Sequence, residues 1–436
     1  MDLLARCPVS GSAGVLGDDT GTMTLDALNT RVIQVAARLR GEASPGAVHP
    51  ITVESTVDGI VELLGTWAAG LVAAPLNPGL TPSERNRAGE TLAAAALPDG
   101  TCTVLWTSGT SGSPRGVALS WDALQTSARA SRLRLDLQPD DVWFASLSPA
   151  HVGGLALITR AVLLGNRLIA TGRFDVPRVV GALESDEGPT HLSLVPTQLH
   201  HLLEAWGDRE APVRLRSLLI GGAHAPEGLV ARAVEGGWPI ALTYGATEMT
   251  SQITTSSVAE VRAGRTDVGC PLPGVEVRIS DDGEILARGP TQALGYVSRD
   301  APNLVDSEGW YHTGDLGRVD SEGRLSVTGR RIDRIVTGGV TLDAITIEEA
   351  LRAHPSVLDA CVIGLPDDVW GERVAAWVVP VADELDLGDI QAWATATMTS
   401  SSRPRFWHVG GDLPRNANGK VDRSGVRSVF RGLHSQ

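Results

Sequence analysis

The chain has 436 residues, enough for roughly two to four domains and a large hydrophobic core. With 42% hydrophobic and 20% charged residues its makeup is that of an ordinary globular protein, which excludes a disordered chain or a disulfide-stapled miniprotein. The 37 basic and 51 acidic residues leave a net charge of −14, which argues against partnership with nucleic acid or a membrane surface, so any anionic ligand must be held by a local site.

Residues 1–10 lack a basic stretch followed by a long apolar run, so no secretory signal is expected and cytoplasmic residence follows. The longest apolar stretch, 63–76, is broken by Gly65, Gly70 and Pro75 and is too short to span a bilayer. Cys7, Cys102, Cys270 and Cys361 lie far apart, so neither a disulfide framework nor a zinc site is indicated.

From about residue 50 to 250, short apolar runs alternate with longer amphipathic segments. Strands are expected over 103–106, 142–147, 167–170, 191–195, 217–220 and 240–244, and helices over 120–132, 154–164 and 197–206. This rhythm predicts an α/β fold of helix-covered, mainly parallel sheets. Its first strand runs into Thr107, Ser108, Gly109, Thr110, Ser111, Gly112, Ser113, Pro114, Arg115 and Gly116, read as a loop between a strand and a helix whose amides and hydroxyls suit phosphate oxygens. Pro114 excludes a Walker A loop, and the absence of a closing glycine excludes a hydrolase elbow.

Further on, Tyr244, Gly245, Ala246, Thr247 and Glu248 close a strand with a ring able to stack on a purine and a carboxylate able to hold Mg²⁺. From 268 to 328 short strands around the turns at 281–283 and 321–323 read as a small antiparallel, β-barrel-like part. Within it, Asp315 follows a Gly turn as a ligand for ribose hydroxyls. A domain boundary falls near 330–333, giving an N-terminal domain over 1–330 and an α+β C-terminal domain over 331–436. In the latter a strand and a helix over 346–353 precede strands over 358–363 and 374–379, a helix over 387–398 and a Gly/Asn-rich loop. That loop carries Lys420, the one lysine in a chain whose other 36 basic residues are arginine, and its compact ammonium suits the negative charge of a transition state.

Taken in order, these segments resemble the adenylate-forming superfamily of acyl-CoA synthetases, adenylation domains and luciferases. That family's motifs are a Ser/Thr/Gly loop ending Pro-Lys-Gly, then Tyr-Gly-x-Thr-Glu, Tyr-x-Thr-Gly-Asp, Gly-Arg-x-Asp and Pro-Arg-x-x-x-Gly-Lys, and here they run from Thr107 to Lys420. The resemblance implies ATP, Mg²⁺ and coenzyme A as cofactors and a C-terminal domain that moves between two half-reactions. It assigns Thr107 to Gly112 and Arg115 to the phosphates, and Tyr244, with Gly222, Ala223, Gly245 and Thr247, to the nucleotide. Glu248 is assigned to the metal, Asp315 and Arg330 to the ribose, Lys420 to adenylation catalysis, and Gly338 and Gly339 to the thiol's approach. Three departures stand out: Arg115 replaces the usual lysine, Ile332 occupies the hinge position, and the loop over 338–344 lacks the common Glu and Pro.

Within the superfamily the runs at 151–157, 193–199, 221–223 and 244–252 look most like the o-succinylbenzoate–CoA ligases of menaquinone biosynthesis. That likeness puts a small carboxylic acid against His151, Gly153, Gly154, Gln198 and Ser251, with the two glycines leaving space and His151 facing or gating the acyl group. A dicarboxylate also wants a cation, for which His201 and Arg160 are both candidates. Other readings are a ligase for another aryl or medium-chain acid, an adenylation enzyme loading a carrier protein, and a catalytically silent nucleotide-binding protein. Retention of the only lysine argues against the last. Monomer and homodimer both remain open.

Overall fold

The computed structural model describes residues 14–18, 21–94, 97–107, 115–297, 302–381, 385–415 and 421–434. A nine-stranded sheet has at its centre six parallel strands in the order Ile240–Ala246, Ser217–Ile220, His191–Leu194, Val142–Phe144, Arg167–Ile169 and Gly14–Asp18. Its edges are antiparallel, with Ser251–Thr255 and Cys270–Pro271 on one side and Gly21–Thr24 on the other. A five-stranded sheet runs Gly295–Tyr296, Arg115–Ser120, Thr101–Thr107, Val72–Leu76 and Val48–Thr52. The expected antiparallel part is a curled four-stranded sheet of Glu276–Ile279, Glu284–Arg288, Tyr311–Val319 and Leu325–Arg330.

The helices form where apolar residues recur at helical spacing behind a capping hydroxyl. Thr24 accepts from the Ala27 amide and starts Leu25–Glu42, an element absent from the sequence reading, whose buried Leu25, Leu28, Val32, Ala36 and Leu39 share one face. Ser120 likewise caps Trp121–Leu135. The strand expected over 142–147 stops at Phe144, and the Ser146 hydroxyl instead donates to the Ser193 carbonyl. Two buried clusters fill the sheet faces, one around Leu63, Leu64, Trp143, Leu155 and Ile158, the other around Phe144, Leu192, Leu218 and Ile240.

The C-terminal segment builds its own sheet from Val340–Asp343, Arg334–Thr337, Gly371–Pro380 and Val357–Asp367. A strand absent from the sequence reading, Phe406–Val409, lies parallel to Gly371–Pro380. The helices Ala344–Arg352 and Leu387–Thr397 match expectation, and a further helix, Arg423–His434, follows the Gly/Asn-rich loop. By internal contacts the described chain divides into a unit within Met1–Arg278, Leu286–Thr313 and Val319–Leu325, and a second within Ile279–Ile285, Gly314–Arg318 and Ser326–Gln436. Among the described residues no helix is long and apolar enough to cross a membrane.

Candidate active site

The predicted nucleotide residues of the first unit gather at the carboxyl ends of its parallel strands, where open α/β sheets bind ligands. Gly222 and Ala223 are exposed directly after Ser217–Ile220, with Gly222 at φ +78°. Tyr244 and Gly245 end Ile240–Ala246, and Thr247 and Glu248 form the 3₁₀ turn Thr247–Met249 that leads into Ser251–Thr255. At Gly245 a Cβ would stand 1.8 Å from the Ser251 carbonyl oxygen, so only glycine fits the crossing of this tight hairpin.

The return of the hairpin is strained, with Thr250 at φ 51° and Ser251 at φ 102°. A buried polar network holds it there. From helix Trp121–Leu135, the Ser127 hydroxyl donates to the Thr250 carbonyl at 2.7 Å and the Ser131 hydroxyl to Gln252 Oε1 at 2.7 Å. Gln252 Nε2 in turn donates to Thr255 Oγ1 at 2.7 Å. Sequence reasoning missed Ser127 and Ser131, whose four-residue spacing on one helix face was the available signal. Ser251 itself is 8% exposed.

The Ser/Thr/Gly loop has a different setting from the one expected. Thr107 and Arg115 are register partners at the ends of two antiparallel strands, and the helix begins only at Trp121. The apolar Val117, Ala118 and Leu119 pair as a strand before the chain turns helical, so this loop leads into a strand and does not open a helix as expected. Ser108, Gly109, Thr110, Ser111 and Gly112 lie outside the described residues. Tyr296, which the sequence reading passed over, sits against this hairpin: its hydroxyl donates to Glu248 Oε1 at 3.2 Å and its ring lies 5.6 Å from the Arg115 guanidinium carbon. Burial, then the Glu248 charge, pushes the Tyr296 phenol up to about 12, so at neutral pH it is a donor. No group of three or more His, Cys, Asp or Glu that could hold a metal occurs among the described residues. A single carboxylate at Glu248 nonetheless suits Mg²⁺, which takes one or two carboxylates together with nucleotide phosphates and water.

The predicted acid-binding residues are arranged around helix Val152–Leu164. His151 is its N-cap residue, makes no side-chain capping bond, and has Nε2 3.4 Å from Asn77 Nδ2. At Gly154 a Cβ would stand 2.2 Å from the Ser148 carbonyl oxygen, and at Gly153 it would stand 3.1 Å from Leu147 Cδ1, so these glycines let the helix settle on the preceding loop. Gln198 accepts from the Val195 amide at 3.0 Å and caps helix Pro196–Trp206, which commits its oxygen and leaves its amide nitrogen for a ligand.

The structure separates the two candidate cations. His201, on helix Pro196–Trp206, is exposed, whereas Arg160, on helix Val152–Leu164, is 2% exposed with its guanidinium carbon 5.0 Å from the Trp143 ring centroid. Arg160 Nη1, Trp143 Nε1 and Ser217 Oγ are all buried without a hydrogen-bond partner among the described residues. Trp143 and Ser217 are both register partners of His191, so the three side chains rise from one face of the sheet. Burial lowers Arg160 to about 10, leaving it cationic at neutral pH. The same cause, outweighing the Asp141 charge, lowers His191 to about 4 and keeps it neutral. Arg160 and the Trp143 ring thus form a buried cation–π pair, while Asp141 stands 3.5 Å from His191, and His191 and Ser217 each open a strand at its amino end, away from the strand-end site.

In the second unit, Asp315 lies in strand Tyr311–Val319 just after Gly314 at φ 72°, in place of the turn expected there, and pairs with Arg330 Nε at 2.9 Å. The two predicted ribose residues are therefore together. Ile332 is exposed in the turn Arg331–Asp333, whose Asp333 pairs with Arg423 at 3.1 Å. Gly338 and Gly339 join strands Arg334–Thr337 and Val340–Asp343, both at positive φ, and a Cβ on Gly338 would stand 2.7 Å from the Trp370 ring. Lys420 lies outside the described residues.

Comparison with known proteins agrees with this arrangement. Residues 86–297 match the AMP-binding enzyme family and residues 346–420 the AMP-binding enzyme C-terminal domain. A 2-succinylbenzoate–CoA ligase of Bacillus cereus (strain Q1) is 38% identical over 341 residues, covering 76% of this chain and 70% of the relative. A ligase of the same name from Bacillus mycoides (strain KBAB4) is 37% identical over the same span. Among solved structures, o-succinylbenzoate CoA synthetase (MenE) from Bacillus subtilis with the acyl-adenylate OSB-AMP superposes with a TM-score of 0.90 at 28% identity, covering 98% of this chain and 97% of that one. The same enzyme with ATP and magnesium gives 0.88 at 28% identity, covering 97% and 98%. With its motifs in order, its strand-end site and relatives above a third identical over most of their length, the chain belongs to the AMP-binding enzyme family.

Proposed function

We propose that this protein is an AMP-forming ligase that activates 2-succinylbenzoate through an acyl-adenylate and transfers it to coenzyme A, the reaction its relatives are named for, and the sequence resemblance puts this step in menaquinone biosynthesis. The observation that carries the dicarboxylic acid is the likeness to 2-succinylbenzoate–CoA ligases, 38% identical over 76% of the chain, together with the superposition on the enzyme holding its OSB-AMP intermediate.

The reacting carboxylate attacks the α-phosphorus of ATP, giving acyl-AMP and releasing pyrophosphate; the CoA thiolate then attacks the acyl carbon and AMP leaves. Magnesium, when bound, neutralises phosphate charge. Glu248 supplies the protein's carboxylate to that ion, the Thr107 to Arg115 hairpin carries the phosphate loop, and Tyr244 lies against the base. Asp315 accepts from the ribose hydroxyls, with its partner Arg330 fixing its orientation. Lys420 supplies the mobile cation for the first step, and Gly338 and Gly339 leave room for the thiol in the second. Residues 1–330 form the nucleotide- and acid-binding domain, and 331–436 the domain that carries Lys420. Orientation and preorganised charge account for the rate.

AMP release from ATP by purified protein, measured with o-succinylbenzoate, benzoate and octanoate, each with and without CoA, tests this reading. Strong CoA-dependent turnover with o-succinylbenzoate alone is expected. Preference for another acid would discard the diacid assignment, and AMP from none of them would discard the ligase.

A further inference from the structure

Two segments with separate roles in the nucleotide site meet on one side chain. Tyr296 lies in the short strand Gly295–Tyr296, which pairs antiparallel with Arg115–Ser120, Gly295 opposite Ala118 and Tyr296 opposite Val117. The Val297 amide donates to the Gly116 carbonyl at 2.7 Å, and the Ala293 amide to the Glu248 carbonyl at 2.8 Å, so the backbone around Tyr296 is tied to the phosphate-loop hairpin and to the Glu248 turn. At Gly116 a Cβ would stand 3.1 Å from Val297 Cβ, and the glycine permits this approach. From this half-buried seat the Tyr296 hydroxyl makes, among the described residues, the one hydrogen bond to the Glu248 carboxylate, at 3.2 Å to Oε1. The face of its ring receives Arg115.

We propose that Tyr296 is a positioning residue for the magnesium nucleotide. Its hydroxyl pins one oxygen of Glu248 and so presents the other to the metal, while its ring carries the guanidinium that closes the phosphate loop. A carboxylate on a flexible side chain samples several rotamers, and one hydrogen bond from a ring held by backbone pairing removes most of that freedom. The presence of arginine at 115, where the family commonly has lysine, fits the same arrangement, because a planar guanidinium stacks on an aromatic face better than a hydrated ammonium does. The proposal rests on Glu248 being the metal ligand.

The test compares Tyr296→Phe, Glu248→Gln and Arg115→Lys in the full-length protein. It measures Mn²⁺ binding to the enzyme–ATP complex by electron paramagnetic resonance, with melting temperature and the kcat and KM of AMP formation alongside. Tyr296→Phe keeps the ring and should fold as wild type, yet weaken Mn²⁺ binding by about tenfold, the size of a hydrogen bond to a charged group. In Glu248→Gln, adding Tyr296→Phe should cause no further loss, since the two side chains act through one contact. Arg115→Lys should raise the KM for ATP several-fold while leaving Mn²⁺ affinity within about twofold. Wild-type Mn²⁺ affinity in Tyr296→Phe, with clear loss in Glu248→Gln, would overturn the positioning role alone. Wild-type affinity in Glu248→Gln would remove the metal assignment and the proposal with it.

Discussion

At the scale of single residues, Arg160 is a cation buried against the Trp143 ring with no carboxylate paired to it among the described residues, and it is expected to cost stability. Arg160→Met removes an uncompensated buried charge, so the free protein should melt at the same or a higher temperature. The same change lies at the amino ends of the strands, away from the predicted site, so the KM for o-succinylbenzoate and for ATP should stay within about twofold of wild type. Steady-state kinetics beside thermal melts checks both outcomes. His191 gives a second prediction. Its folded pKa near 4 lies below the ordinary 6.5, so between those values the unfolded chain binds the extra proton and stability falls as pH falls. Urea titrations from pH 7 to pH 4 should show that loss, and His191→Asn should flatten it. At this scale the sequence left His201 and Arg160 undecided, since residue type alone carries no burial, and it passed over Tyr296, which belongs to no motif by spacing.

Elements decide which of those residues meet. Helical and strand periodicity located five of the six parallel strands, one strand of the five-stranded sheet and three of the covering helices, because each buries a continuous apolar face. Pairing partners were less legible. The run over 115–120 reads equally as a helix start, and only its partner at 101–107 makes it a strand. The hairpin over 240–255 was half visible, since its return strand, Ser-Gln-Ile-Thr-Thr, is polar in sequence and is buried only because Ser131, Thr243 and one another satisfy it. This element yields its own prediction. Gly245→Ala forces a methyl into the Ser251 carbonyl and should cost more than about 2 kcal/mol, while Ser131→Ala should cost about 1–3 kcal/mol by leaving Gln252 short of a donor. Calorimetry gives the stabilities, and ATP binding should weaken in both variants because Tyr244 and Glu248 ride on the same hairpin.

For the whole molecule, motif order was the most legible property, because each motif lies at the end of an element whose apolar body could be read independently. The N-terminal fifty residues and the strand Phe406–Val409 were not, since their pairing is long-range. The expected division of labour between the two parts of the chain is testable without any view of their arrangement. Lys420→Ala should reduce acyl-adenylate formation by at least about a hundredfold, the scale of a lost charge stabiliser, yet leave thioester formation from supplied acyl-AMP near wild type. Equal loss in both half-reactions would end the assignment. Chelation of divalent metal with EDTA should stop the first half-reaction only, and added Mg²⁺ should restore it.

The buried guanidinium of Arg160 bears on the lifetime of the protein as well as on its fold. A cation kept from water leaves a smaller margin of stability, so a substrate that binds the folded chain and not the unfolded one counts for more, and saturation at a hundred times its dissociation constant adds about 2.7 kcal/mol. Cells that run short of the diacid would then hold an enzyme that opens more often and is degraded sooner. Supply of the substrate would thereby bear on how much of its own catalyst persists.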